Sequence, residues 1–215
     1  MIRLIDYLKQ QLLVKLFVIC LRYLIGFAFV FASIVKIRGE RFTSISPSQP
    51  VGYFFEAMYQ SGFYWNFLGW AQLISGALLM SQRFSTIGAM VFFPVILNVC
   101  LITHSVDFGS GTPTITTLML LGTAFLLLWD YKKWMILFQR DHTIYLDMTK
   151  EPEDRLMNDG IWTIAGLLFV LLTIAVQIVG ANQSTILIWI VAMLGVGISC
   201  FVIGLLRHRK RMRIH

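Results

Sequence analysis

Apolar residues run through this chain in continuous blocks of about twenty, separated by short polar stretches rather than alternating with polar residues. A block of that length is what a helix needs to cross roughly 30 Å of hydrocarbon. Inside lipid every backbone group must be satisfied within the structure, which leaves helices or closed barrels, and barrel strands alternate in polarity. The pattern therefore predicts six transmembrane helices, at residues 16–35, 63–80, 84–103, 112–129, 161–179 and 185–206. Ahead of them, Ile2, Ile5, Leu8 and Leu12 recur at helical spacing among Arg3, Asp6 and Lys9, so residues 1–15 read as an amphipathic segment lying on the membrane surface.

The polar stretches set the organisation. The longest, residues 132–159, divides a four-helix transmembrane unit (16–131) from a terminal helix pair (160–206), and a basic tail follows (207–215). Between the first two spans, Val51, Phe54, Phe55, Met58 and Tyr59 fit one side of a helix, with Glu56 and Gln60 turned away. Such a helix would lie flat across the mouth of the bundle. The chain shows no internal repeat, which argues against an inverted-repeat transporter, and no small-residue cleavage site follows the first span.

Composition agrees with a bilayer as solvent. The chain is 57% hydrophobic and only 13% charged, with a mean hydropathy of +0.73, whereas about a quarter of the residues in a soluble domain carry charge. With both termini in the cytoplasm, fourteen Lys and Arg fall in inside segments and three (Lys36, Arg38 and Arg41) outside. That asymmetry predicts a multi-pass protein of the cell membrane with cytoplasmic termini. It also accounts for the net charge of +7. The basic tail then reads as a topology signal or a contact to anionic lipid, and nucleic acid is not expected as a partner. Cys20, Cys100 and Cys200 lie in three different apolar blocks without a C-x-x-C motif, and His104, His142, His208 and His215 are scattered. No metal site or covalent cofactor is expected from them.

Candidate chemistry lies on helix faces. Arg22, Gly26, Phe29, Ser33 and Lys36 are spaced four, three, four and three apart, so they share one face of the first span. An arginine within a span needs a partner, a cavity or a headgroup. Comparable stripes are Gly69, Gln72 and Gly76 in the second span, Pro94, Asn98 and Ser105 in the third, and Thr116, Thr123 and Asp130 in the fourth. These seams serve either as packing contacts or as the lining of a polar chamber. Outside the spans, Lys36, Arg38 and Arg41 pair with Glu40 and Glu56 or attract an anionic or carbonyl-bearing ligand, and His104 with Asp107 adds a titratable pair at the same mouth. The candidate ligand-binding residues are thus Arg22, Lys36, Glu56, Gln72, Asn98 and His104. No serine, histidine and carboxylate fall at catalytic spacing.

The runs Leu21-Arg22-Tyr23-Leu24-Ile25-Gly26 with Lys36, Gly69-Trp70-Ala71-Gln72-Leu73-Ile74-Ser75-Gly76-Ala77-Leu78-Leu79, and Arg83 through Gly88-Ala89 resemble the DoxX family of four-helix membrane proteins over about residues 16–131. The family commonly carries a glutamate at the position of Gln72, so this chain lacks that titratable group. The resemblance implies a DoxX-like bundle with a polar core, to which this chain adds a C-terminal helical hairpin. It also implies a redox-accessory or lipophilic small-molecule binding role, with quinone or lipid as the ligand. The alternatives are an assembly or scaffold protein for a membrane-protein partner, and after it a small-solute transporter. The small-residue spacings Gly195 to Ser199 and Cys200 to Gly204 suit helix docking in the scaffold reading.

Overall fold

The computed structural model describes residues 2–106, 108–109, 111–135, 156–179 and 183–212. Most of the loop expected over 132–159 lies outside these residues, as do Asp107, His142 and His215. Among the described residues every element is helical: α1 (Ile2–Leu8), α2 (Leu12–Ile37), α3 (Pro50–Gln60), α4 (Phe63–Met80), α5 (Ser85–Ser105), α6 (Gly111–Trp129), α7 (Tyr131–Met135), α8 (Gly160–Val179) and α9 (Gln183–Met212). The chain is an all-α, multi-pass membrane protein. Five helices, α2, α5, α6, α8 and α9, have the length and apolarity to cross a bilayer. α4 coincides with the second predicted span but carries Asn66 and Gln72 and is less apolar than those five.

The α2–α4 pair forms the centre of the bundle, and glycines bring the two backbones together. A Cβ on Gly26 would lie 2.6 Å from the Gly76 carbonyl oxygen, and one on Gly76 would lie 2.7 Å from the Gly26 carbonyl oxygen. Only a bare backbone fits either position, as in other small-residue transmembrane interfaces. α5 closes on α4 in the same way, since a Cβ on Gly88 would approach the Leu79 nitrogen to 2.6 Å. α6 packs on α5 and α2, while α8 packs on α2, α4 and α9, and Trp189 of α9 also stacks on Phe27 of α2, 5.6 Å between centroids. Phe29 and Phe92 meet edge to face, 4.3 Å between centroids, in the core between α2 and α5.

The rotation of α5 differs from the expected one. Its inward face is Ser85, Thr86, Gly88, Ala89, Phe92, Ile96, Cys100 and Thr103, whereas Pro94, Asn98 and Ser105 are exposed. The close approach at Gly88 and Ala89 sets this rotation. Asn98 follows Ala89 by about two and a half turns and so points the opposite way. The other three stripes face inward as the spacing predicts: all five stripe residues of α2, Gly69, Gln72 and Gly76 of α4, and Thr116, Thr123 and Asp130 at α6 are buried.

Candidate functional site

The inward stripe of α2 carries a cation near each end. Arg22 and Lys36 are fourteen residues apart, which is about 21 Å along a helix, and the protein treats their charges in opposite ways.

At the Arg22 end the charge is neutralised internally. The guanidinium is 2% exposed, and its Nη2 lies 2.7 Å from Asp130 Oδ2, with the carboxylate just beyond the last residue of α6. Arg22 Nη1 donates to Gln82 Oε1 at 3.1 Å, and Thr86 Oγ1 donates to Asp130 Oδ2 at 3.1 Å. Lys133 adds a weaker contact at 3.4 Å from an exposed position. Gln82 sits in the tight α4–α5 turn at φ 59, a left-handed conformation that side-chain-bearing residues seldom adopt. Its buried side chain adds a second acceptor for Arg22, whose Nε has no hydrogen-bond partner among the described residues. The ion pair therefore ties α2, the α4–α5 turn, α5 and the end of α6 into one cluster.

At the Lys36 end the charge has no carboxylate partner among the described residues. Lys36 is 4% exposed, and its ammonium donates one hydrogen bond, to the Ala32 carbonyl at 2.9 Å. The rest of its surroundings is aromatic: Nζ lies 4.3 Å from the Phe42 centroid and 5.2 Å from that of Trp65. Trp65 and Asn66 are themselves fixed by donating to the Glu40 and Ile37 carbonyls at the end of α2. Gly69 allows this packing, because a Cβ there would lie 2.9 Å from that of Lys36. One turn along α4, Gln72 is 3% exposed and its Oε1 has no hydrogen-bond partner among the described residues. A buried acceptor and a buried cation with spare donors thus line the same seam.

Above Lys36, α3 and the segment before it enclose a cleft of about 270 Å³ lined by residues including Arg41, Phe42, Ser46, Phe55 and Glu56. Phe42 belongs to both the cleft and the aromatic surround of Lys36. Glu56 is held in two hydrogen bonds from Arg41, at 2.8 and 2.9 Å, and one from Gln60 at 3.1 Å. Those bonds, from Arg41 first, hold its carboxyl down at about 2. Glu56 is therefore engaged with the loop and lines the cleft beside Phe55 and Gly52, rather than turning away as expected. His104 is exposed and bonded to Thr117 at 3.1 Å.

The six candidate residues do not form one chamber. Lys36 and Gln72 share the seam, Glu56 lines the cleft beyond Phe42, Arg22 is occupied at the opposite end, and His104 lies on the surface. Asn98 faces away from the bundle, which corrects its expected place in the interior. Gln82 and Thr86 escape a reading of the sequence. Asp130 stands in the sequence only as the end of the Thr116–Thr123 stripe; its pairing with Arg22 appears in the structure. Among the described residues, no group of three or more His, Cys, Asp or Glu gathers in metal-binding proximity.

Apolar spans around a polar seam define an integral membrane protein with a packed helical core. The chain is similar to the uncharacterized protein YwoB of Bacillus subtilis (strain 168), 29% identical over 75 residues, or 35% of this chain and 47% of that protein. The match thus spans about half of that relative's length. No family model matches the chain, and no solved structure matches it.

Proposed function

We propose that this chain is a six-span, DoxX-like protein of the cell membrane, with both termini cytoplasmic, that binds a lipophilic small molecule in the Lys36 half of its four-helix unit. The ligand is a quinone or a lipid whose carbonyl or acidic head group takes hydrogen bonds from Lys36. In this orientation α3 covers the outer mouth, and the cleft beside Phe42 is the route from the interface to the ammonium. The carrying observation is the buried Lys36 ammonium, which has one carbonyl bond and, among the described residues, no carboxylate. Burying a charge is costly unless it is paired, and the same helix pairs its other cation with the carboxylate of Asp130. Gln72 supports the reading as a neutral amide that can meet a second polar group of the ligand. A redox-accessory role follows if the ligand is a quinone.

The test is mass spectrometry of molecules extracted with the purified protein. Enrichment of one quinone or lipid class over an unrelated membrane protein, lost in Lys36→Met, is expected. Equal recovery from the wild type, Lys36→Met and the unrelated protein would refute the proposal.

The scaffold reading has one observation of its own. Gly204 of α9 is closed by Trp162, so Cys200 to Gly204 is used within the chain, but Gly195 and Ser199 are exposed. Site-directed crosslinking from residue 199 separates the readings: a protein partner favours the scaffold, and products confined to the chain remove its support.

A further inference from the structure

We propose that the outward face of α5 pairs with the same face of a second copy of this chain, with Asn98 meeting Asn98 at the centre of the contact. Ile87, Val91, Pro94, Asn98, Leu101 and Ser105 follow one another at intervals of four, three, four, three and four residues, and all six are exposed. This is the spacing of a seam between two helices packed with a slight left-handed crossing. α5 packs against α4 and α6 on its other sides, so among the described residues the stripe is left exposed on the outside of the bundle.

Hydrocarbon is the wrong environment for this stripe. Asn98 lies seven residues before the end of a 21-residue helix, about 10 Å below that end. Its amide makes no hydrogen bond within the described residues, whereas Ser105 on the same stripe bonds the Leu101 carbonyl at 2.7 Å. Pro94 deepens the deficit: it has no N–H, so the carbonyl one turn before it loses its helical donor. An unpaired amide in an apolar medium costs free energy that a partner amide recovers.

The chemistry selects a copy of the same chain as the occupant. A primary amide has donors and an acceptor, so two asparagines related by a twofold axis satisfy each other. Copies inserted with the same topology are related by an axis normal to the membrane, which places the two Asn98 side chains at equal depth. The stripe has no charged residue to oppose its own image.

The experiment reconstitutes fluorescently labelled full-length protein in liposomes and measures pairing by energy transfer over a dilution series in lipid. A dimer is expected, weakened about threefold to twentyfold in Asn98→Leu and retained in Asn98→Gln. Resistance of the monomer to unfolding should not change, because the Asn98 side chain makes no hydrogen bond among the described residues. As a second measurement, with the three native cysteines replaced by serine, Leu101→Cys should form a disulfide-linked dimer on oxidation, and Leu118→Cys on α6 should not. A monomer at every dilution, a dimer indifferent to Asn98→Leu, or crosslinking as efficient from residue 118 as from residue 101 would overturn the proposal.

Discussion

Replacing Asp130 by asparagine removes one charge and almost no volume. The variant's amide oxygen can still accept from Thr86 and Arg22, but it leaves the Arg22 guanidinium, 2% exposed, facing neutral acceptors in place of its carboxylate. Removing one member of a buried pair leaves an uncompensated charge, a cost of about 3–5 kcal/mol, or about two to almost four decades in the unfolding constant. Replacing both members, as Arg22→Met with Asp130→Leu, removes the charge altogether and should cost far less than either single change, since apolar replacements of buried pairs are often neutral. The double-mutant cycle should therefore show strong coupling. Lys133→Ala is the control: its side chain is 55% exposed and 3.4 Å from the carboxylate, so about 1 kcal/mol or less is expected. Stability is measured by reversible SDS-driven unfolding in bicelles. If Asp130→Asn costs less than about 1 kcal/mol, water or headgroups carry the Arg22 charge and the closed ion-pair cluster is wrong.

Three further outcomes are expected. Gly26→Val drives a side chain into the Gly76 carbonyl and should cost at least about 1–3 kcal/mol by separating α2 from α4, read from the same unfolding curves. Glu56 has a lowered folded-state pKa, so its contribution is present above the ordinary carboxylate range and fades as pH falls from about 4.5 to about 2; pepsin cleavage within residues 38–60 should rise across that window in the wild type and be flat in Glu56→Gln. Asp159 accepts from the Ile161 amide at the start of α8 and from Arg207 of α9, both at 3.1 Å, so Asp159→Ala should destabilise the protein by about 0.5–2 kcal/mol. In that variant, hydrogen exchange should rise at the first turn of α8 before any other part of that helix.

The positions of the apolar helices were legible because bilayer thickness prints its length on the sequence, and five of the six predicted spans are long and apolar enough to cross it. The inward face of α2 was legible too, since arginine, glycine, serine and lysine at alternating four and three spacing leave only one side for acyl chains. The rotation of α5 was not. Its two candidate faces each carry small or polar residues, and the choice depends on which meets α4 closely, a contact between Gly88 and Leu79 backbones that no pattern within α5 records. Gln82 is invisible for another reason. It stands in a short turn where a polar residue is unremarkable, and its burial follows from the fold returning the chain to Arg22, sixty residues earlier.

The two cations of α2 are mechanically linked. Arg22 must face Asp130, Gln82 and Thr86, which fixes the rotation of the helix at one end. α2 contains no proline over Leu12–Ile37, so the rotation carries through about four turns to Lys36. Lys36 is therefore directed inward by a constraint outside its own surroundings, where a lysine free to choose would extend its long stem to the headgroups. The ion pair gives up its own charge to packing and in doing so keeps another charge buried, where the proposed ligand would meet it. It follows that Asp130→Asn should weaken ligand retention at Lys36 without touching that site, whereas Lys133→Ala, which leaves the Arg22 contact intact, should not.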